Sequence, residues 1–101
     1  MALVKVAQVA DLKPGECKTV NANGRDLALF NVDGKFHAID NTCLHRGGPL
    51  GEGVLEGSVV TCPWHGWKFD VTSGACKMNP AKQVDSFKIE VQGGDVMVEI
   101  G

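Results

Sequence analysis

The sequence predicts an all-β domain, built as a sandwich or barrel of short antiparallel strands. Turn signals recur about every eight to twelve residues, and the stretches between them favour strands. No segment keeps a helical spacing of apolar residues over about twelve positions. Because 101 residues give room for one hydrophobic core, we expect a single domain over residues 1–101.

Turn residues divide the chain into its predicted strands. Asn23-Gly24 is a strong two-residue hairpin signal, and Asp33-Gly34 turns the chain into the strand that follows it. A third hairpin is expected at residues 93–95. Strand length and spacing predict about nine or ten strands in all. Those placed by sequence are 3–8, 17–21, 26–32, 35–40, 58–61, 67–70, 87–91 and 96–100.

The middle third of the chain differs from the rest. Residues 41–57 hold five glycines and Pro49, too many for a regular strand, so we expect loop there, including residues 51–57. The predicted strands 58–61 and 67–70 flank a further short loop. Residues 41–77 therefore predict a small hairpin-based subdomain with two loops at its tip. Glycines suit such loops because they let the backbone approach a bound group closely.

Composition excludes several classes of protein. The net charge of −2 comes from twelve acidic and ten basic residues without a basic stripe, so a nucleic-acid partner is not expected. The apolar runs are far shorter than the roughly 20 residues of a membrane span. Residues 1–12 lack the unbroken apolar stretch of a signal peptide, so we expect a cytoplasmic protein. In a reducing compartment, four cysteines favour metal ligands over a disulfide framework.

Two motifs combine one cysteine with one histidine. They are Cys43-Leu44-His45 and Cys62-Pro63-Trp64-His65, and sixteen residues separate His45 from Cys62. Two thiolates and two imidazoles suit a 2Fe–2S centre in which histidines ligate one of the irons. Zinc is the competing metal, since it also accepts this ligand set in a tetrahedral shell. Zinc fingers usually pair cysteine with cysteine and histidine with histidine. Each loop here combines one cysteine with one histidine, which favours iron–sulfur over zinc.

The two motifs resemble the cluster-binding boxes of Rieske proteins. The resemblance rests on Cys43–Gly48 and Cys62–Trp67, including the proline after the second cysteine and the glycine after the second histidine. It covers most of the chain, because the flanking strands also fit the same all-β fold. It implies one Rieske-type 2Fe–2S cluster and the all-β Rieske fold. It also implies that Cys43 and Cys62 bind the inner iron. His45 and His65 would then bind the outer, solvent-facing iron.

The pattern is most similar to the soluble ferredoxins of bacterial oxygenase systems. This resemblance implies a monomeric one-electron carrier that takes electrons from an NAD(P)H-dependent flavoprotein reductase. It would pass them to a terminal oxygenase or dioxygenase, as in aromatic hydrocarbon catabolism. The chain is not expected to be an enzyme itself, because His37 alone cannot supply a 2-His-1-carboxylate iron site. The alternative is the small Rieske subunit of an assimilatory nitrite reductase.

For several residues near or outside the boxes, we predict roles other than metal binding. Cys17 and Cys76 are expected to be free thiols. Trp67 is expected in the core, whereas Trp64 is equally suited to shielding the cluster and to docking a partner. The four phenylalanines are core candidates: Phe30, Phe36, Phe69 and Phe87.

The boxes also predict a low reduction potential. By the same resemblance, respiratory-chain Rieske proteins carry an extra cysteine in each box, forming a disulfide, and hydroxyl groups that hydrogen-bond to the cluster sulfurs. Here Gly48, Trp64 and Trp67 stand at the corresponding positions, and the chain has no tyrosine. With fewer hydrogen bonds to stabilise the reduced state, we expect a potential of about −150 mV. Cyclic voltammetry measures it, and a value above zero would contradict the prediction.

Overall fold

The computed structural model describes residues 2–43, 48–64, 66–77 and 81–100. In these ranges the chain forms ten strands and two short 3-10 helices, at Val9–Asp11 and Leu50–Glu52. The strands are β1 (Ala2–Gln8), β2 (Cys17–Ala22), β3 (Arg25–Val32), β4 (Lys35–Asp40), β5 (Val54–Glu56), β6 (Val59–Thr61), β7 (Lys68–Asp70), β8 (Ser86–Phe87), β9 (Ile89–Gln92) and β10 (Asp95–Ile100). No helix within the described ranges has the length and apolar character to cross a membrane.

The strands form three antiparallel sheets, in the orders β1-β10-β9, β2-β3-β4-β8 and β5-β6-β7. The hairpin between β2 and β3 turns at Asn23 and Gly24, whose φ angles are 52° and 88°. Asp33 and Gly34 repeat this geometry between β3 and β4, with φ angles of 51° and 92°. Two successive positive φ angles define the turn that matches the twist of paired strands, which is why Asn-Gly and Asp-Gly occur there.

Strand β3 lies between two hydrophobic cores. Leu27 and Leu29 pack into the first core, with residues of the β1-β10-β9 sheet. Ala28 and Phe30 pack into the second, with residues of the β5-β6-β7 sheet and with Cys43 and other residues of the loops. A strand that is buried on both faces needs an almost continuous apolar run, and residues 27–30 supply it.

The all-β prediction is confirmed, and two details of it were wrong. Val54–Glu56 forms β5, although the glycine-rich stretch 51–57 was expected to be loop. Gly53 and Gly57 flank this strand instead of interrupting it. The single strand expected at 87–91 is divided at Lys88: Phe87 pairs with β4 in one sheet, and Ile89 pairs with β10 in another.

The expected core residues are largely where the sequence placed them. Phe30, Phe36 and Phe69 are buried. Phe87 is only partly buried, and the Arg25 guanidinium lies 4.7 Å from the centroid of its ring. Trp67 is half-buried and packs against the second core. Of the four candidates, Phe87 is therefore the one that is not a fully buried core residue.

Gly51 holds the second 3-10 helix against β2. An added Cβ at this position would lie 2.5 Å from Thr19 Oγ1 and 2.6 Å from the Thr19 backbone nitrogen. We therefore expect Gly51→Ala to lower the free energy of unfolding by about 1–3 kcal/mol, the usual cost of overpacking. Gly94→Ala is the matched control, because nothing lies within 4 Å of its added Cβ. Urea unfolding measures both variants, and equal midpoints would contradict the prediction.

Candidate functional site

The first cysteine loop begins at Cys43, a few residues after the end of β4 at Asp40. The Cys43 amide donates a hydrogen bond to the Gly48 carbonyl at 2.9 Å. One step further out, Thr42 and Pro49 form an antiparallel bridge. These contacts bring the two ends of the loop together, and Cys43 is left only 1 % exposed. The loop therefore starts with its thiol turned into the protein.

Asn41 anchors this loop to the large sheet. Its side-chain oxygen accepts hydrogen bonds from the Gly51 amide at 2.8 Å and from the Thr19 hydroxyl at 3.1 Å. Its backbone carbonyl accepts from the Leu50 amide at 2.8 Å. Buried polar groups are normally satisfied in this way, because an unpaired one costs about 1–3 kcal/mol. Sequence analysis missed Asn41. The only signal for it in the sequence was an asparagine shortly before Cys43.

The second cysteine loop begins directly after β6. The Cys62 amide donates to the Trp67 carbonyl at 2.7 Å, which ties the two ends of this loop together as well. The Trp64 amide points back at the cysteine and donates to Cys62 Sγ at 3.4 Å. Cys62 is 1 % exposed, like Cys43. Both loops therefore have the same construction, with the cysteine at the first position.

The structure brings the two thiols together. Burial raises the pKa of Cys62, and the adjacent Cys43 thiol raises it further, against the lowering effect of the Trp64 amide. Both cysteines are free, as are Cys17 and Cys76. Two neighbouring buried thiols are unfavourable as thiolates by themselves, since each negative charge is desolvated and repels the other. A cation bound between them removes this penalty, which makes the pair suited to a metal centre.

Gly48 provides the space beside the sulfur atoms. An added Cβ there would lie 2.8 Å from Cys62 Sγ and 3.0 Å from Trp64 Cγ. Trp64 therefore lies over Gly48 and close to the sulfur, while half of its surface stays exposed. Trp64 thus lies near the Cys62 sulfur and at the surface, and its roles in shielding the cluster and in docking a partner stay predictions.

The predicted histidine ligands, His45 and His65, lie outside the described residues. His37 lies on β4, where burial and then Lys35 lower its pKa, and Asp70 partly opposes them. Its charged form is therefore disfavoured in the folded protein. Within the described ranges, no set of three His, Cys, Asp or Glu residues converges on a metal-binding geometry. The described part of the site consists of Cys43, Cys62 and the Trp64 amide that donates to Cys62 Sγ.

A family comparison explains this construction. The family model of the Rieske [2Fe-2S] domain matches residues 2–88. The chain belongs to the Rieske family. Its cofactor is accordingly a Rieske-type 2Fe–2S cluster, and the expectation of iron–sulfur over zinc is confirmed. The paired thiols and the close approach at Gly48 fit such a group, because cluster sulfides need room beside their cysteine ligands.

Similar Rieske proteins are electron-transfer components of dioxygenase systems. Ferredoxin CarAc of Metapseudomonas resinovorans is 37% identical over 97 residues, which are 94% of this chain and 91% of that protein. The ferredoxin component of biphenyl 2,3-dioxygenase from Rhodococcus jostii (strain RHA1) is 38% identical over 101 residues, covering 99% of this chain and 94% of the relative. The predicted resemblance to ferredoxins of oxygenase systems is confirmed, and with it the expectation that the chain is not itself an enzyme.

The solved structures that are similar to this chain also include ferredoxins of dioxygenase systems. The ferredoxin of carbazole 1,9a-dioxygenase from Nocardioides aromaticivorans IC177 superposes with a TM-score of 0.90 at 29% identity, covering 97% of each chain. A ferredoxin solved in complex with its reduced oxygenase, in carbazole 1,9a-dioxygenase, has a TM-score of 0.87 at 37% identity, covering 95% of this chain and 91% of that one. A nitrite reductase small subunit, at 24% identity and a TM-score of 0.83, shows the shared fold alone. The comparisons therefore favour the ferredoxin over the nitrite reductase subunit.

The contact at Gly48 gives a prediction for cluster loading. We expect Gly48→Ala to push against Cys62 Sγ, at a cost of about 1–3 kcal/mol, and to lower the iron and acid-labile sulfide bound per chain. Adding Trp64→Ala relieves only the contact with the ring, so the double variant should remain poorly loaded. Colorimetric iron and sulfide assays on freshly purified protein test this. Full loading of the single variant would show that the space beside the sulfur is not needed.

Proposed function

We propose that the protein is the ferredoxin component of a bacterial oxygenase system. It takes single electrons from an NAD(P)H-dependent flavoprotein reductase and delivers them to a terminal oxygenase. The observation that carries this proposal is the pair of adjacent buried thiols, Cys43 and Cys62, at the starts of two matched loops. The ferredoxin relatives and the solved ferredoxin–oxygenase complex support the choice of partners.

The cluster would be held by Cys43, His45, Cys62 and His65. The two cysteines would bind the inner iron, and the two histidines the outer iron. When bound, the cluster stores and releases one electron at a time. The chain contributes burial of the sulfur atoms, which excludes water, and a backbone donor from Trp64, which stabilises negative charge on Cys62 Sγ.

The surface beside the cysteines suits brief encounters with protein partners. Pro63 and Trp64 are exposed directly after Cys62. Electron-transfer encounters commonly bury less than about 1,200 Å², so a small apolar tip is sufficient. We infer that the chain works as a monomer in the cytoplasm, a reducing compartment in which the two thiols outside the cluster, Cys17 and Cys76, stay unpaired. Residues 41–77 then act as the cluster-binding subdomain of a single domain over 1–101.

Histidine substitutions test the ligand assignment. In electron paramagnetic resonance of the dithionite-reduced protein, we expect a lower average g-value than all-cysteine 2Fe–2S clusters give, because imidazole donates less electron density. His45→Cys or His65→Cys should lower the reduction potential or abolish cluster binding. His37→Gln is the control and should leave the spectrum and the potential unchanged.

Two outcomes would contradict this proposal. A single bound zinc ion without sulfide would remove the electron-transfer function. A spectrum that changes with His37→Gln and not with His45→Cys would show that the ligands had been wrongly assigned.

A further inference from the structure

The chain leaves the large sheet after β4 and returns to it at β8. Both cysteine loops and the β5-β6-β7 sheet lie between these two points. Residues 40–43 form the exit segment, and residues 82–87 form the return segment. Strand β8 has only two residues, which pair with Ala38 and Ile39 of β4. The return of the chain to the sheet is therefore held by very little backbone pairing.

One arginine contacts both segments. Arg25 Nη2 lies 3.1 Å from Asp40 Oδ2 in the exit segment and 3.0 Å from Asp85 Oδ2 in the return segment. The guanidinium also lies 4.7 Å from the centroid of the Phe87 ring. Hydrogen bonds to the two carboxylates, first that to Asp85, raise the pKa of Arg25, so its positive charge is retained. A single side chain on β3 therefore joins the segments that lead into and out of the cluster-binding part.

These contacts lie at the start of the first cysteine loop. The Asp40 amide donates to the Asp85 carbonyl at 2.9 Å. Asp40 Oδ1, which is the other oxygen of the carboxylate, accepts from the Thr42 amide at 3.1 Å. Thr42 directly precedes Cys43. The Asp40 carboxylate thus connects the Arg25 guanidinium to the backbone next to a cysteine of the site.

The two carboxylates depend on Arg25 for their charge balance. An exposed ion pair by itself contributes little to stability, and these pairs are partly exposed. Both carboxylates, however, face the same nitrogen, so they also lie close to each other. Among the described residues, no other cation forms an ion pair with Asp40 or Asp85. Without the arginine they would repel each other, which would push the exit and return segments apart.

We propose that Arg25 is a positioning residue for the redox centre: it holds the exit and return segments together and so limits the local opening that would expose Cys43. Local openings of this kind occur far more often than complete unfolding. A cluster bound by Cys43 would be lost through the open form, so Arg25 would slow its loss. The inference rests on the proposed function and adds a residue, distant from the ligands in sequence, that controls retention of the cluster.

Hydrogen exchange measured by mass spectrometry on the cluster-loaded protein tests the opening. We expect R25Q to raise the exchange rates of peptides from the exit and return segments about threefold to tenfold. Peptides from β1 and β10 should exchange as in the wild type, because they belong to another sheet. Equal acceleration in all peptides would show a loss of global stability only, and it would overturn the proposal. Unchanged exchange in the two segments would also overturn it.

Two further variants separate position from net charge. K5Q is the matched control, because it changes the net charge equally and breaks a partly exposed ion pair, Lys5 with Asp95 at 3.2 Å, outside the large sheet. It should leave the exit and return segments unchanged. R25K should restore most of the protection, since both carboxylates face one nitrogen and an ammonium group can replace it as a point charge. Acceleration by K5Q equal to that by R25Q, or no rescue by R25K, would overturn the proposal.

A double-variant cycle tests whether Arg25 acts through its carboxylates. D85N should accelerate exchange of the two segments in the wild-type protein, because it removes one contact and leaves that with Asp40. In the R25Q background, D85N should cause no further acceleration, since it removes a repulsion instead of an attraction. Effects that multiply as for independent sites would overturn the proposal.

Loss of the cluster provides the functional readout. The visible absorption of the oxidised protein is followed after addition of excess EDTA, and we expect R25Q to bleach about threefold to tenfold faster than the wild type and K5Q. Bleaching of R25Q at the wild-type rate would overturn the inference. Iron and acid-labile sulfide assays on the starting wild-type sample separate this result from a failure of the proposed function, because a protein without a cluster fails that assay before EDTA is added.

Discussion

Two backbone hydrogen bonds determine the site: Cys43 amide to Gly48 carbonyl, and Cys62 amide to Trp67 carbonyl. Each joins the two ends of a loop, and in each loop the cysteine is the hydrogen-bond donor. Because both thiols are also buried, the chain itself provides a dry pair of sulfur donors. A cluster bound by both thiols, as proposed, would supply the positive charge that makes this burial tolerable, because a buried charge needs a partner.

The position of these loops depends in turn on the large sheet. Strand β3 is buried on both faces, so one strand connects the β1-β10-β9 sheet to the core that contains Cys43 and Cys62. Asn41 completes the connection by joining the start of the first loop to Thr19 on β2 and to Gly51. A buried side-chain oxygen that accepts two hydrogen bonds favours a single arrangement, because a shift would leave those donors unpaired at a cost of about 1–3 kcal/mol.

Local features of the sequence were sufficient for some elements and insufficient for others. The turns at Asn23-Gly24 and Asp33-Gly34 were predictable because positive φ at two successive residues limits the choice of side chain. Strand β5 was missed because counting glycines ignores where they lie: Gly53 and Gly57 bracket the strand. The break at Lys88 arises because Phe87 and Ile89 pair with strands of two different sheets. The local sequence pattern contains no sign of this long-range pairing. Asn41 was missed for the same reason, since its partners are distant in sequence.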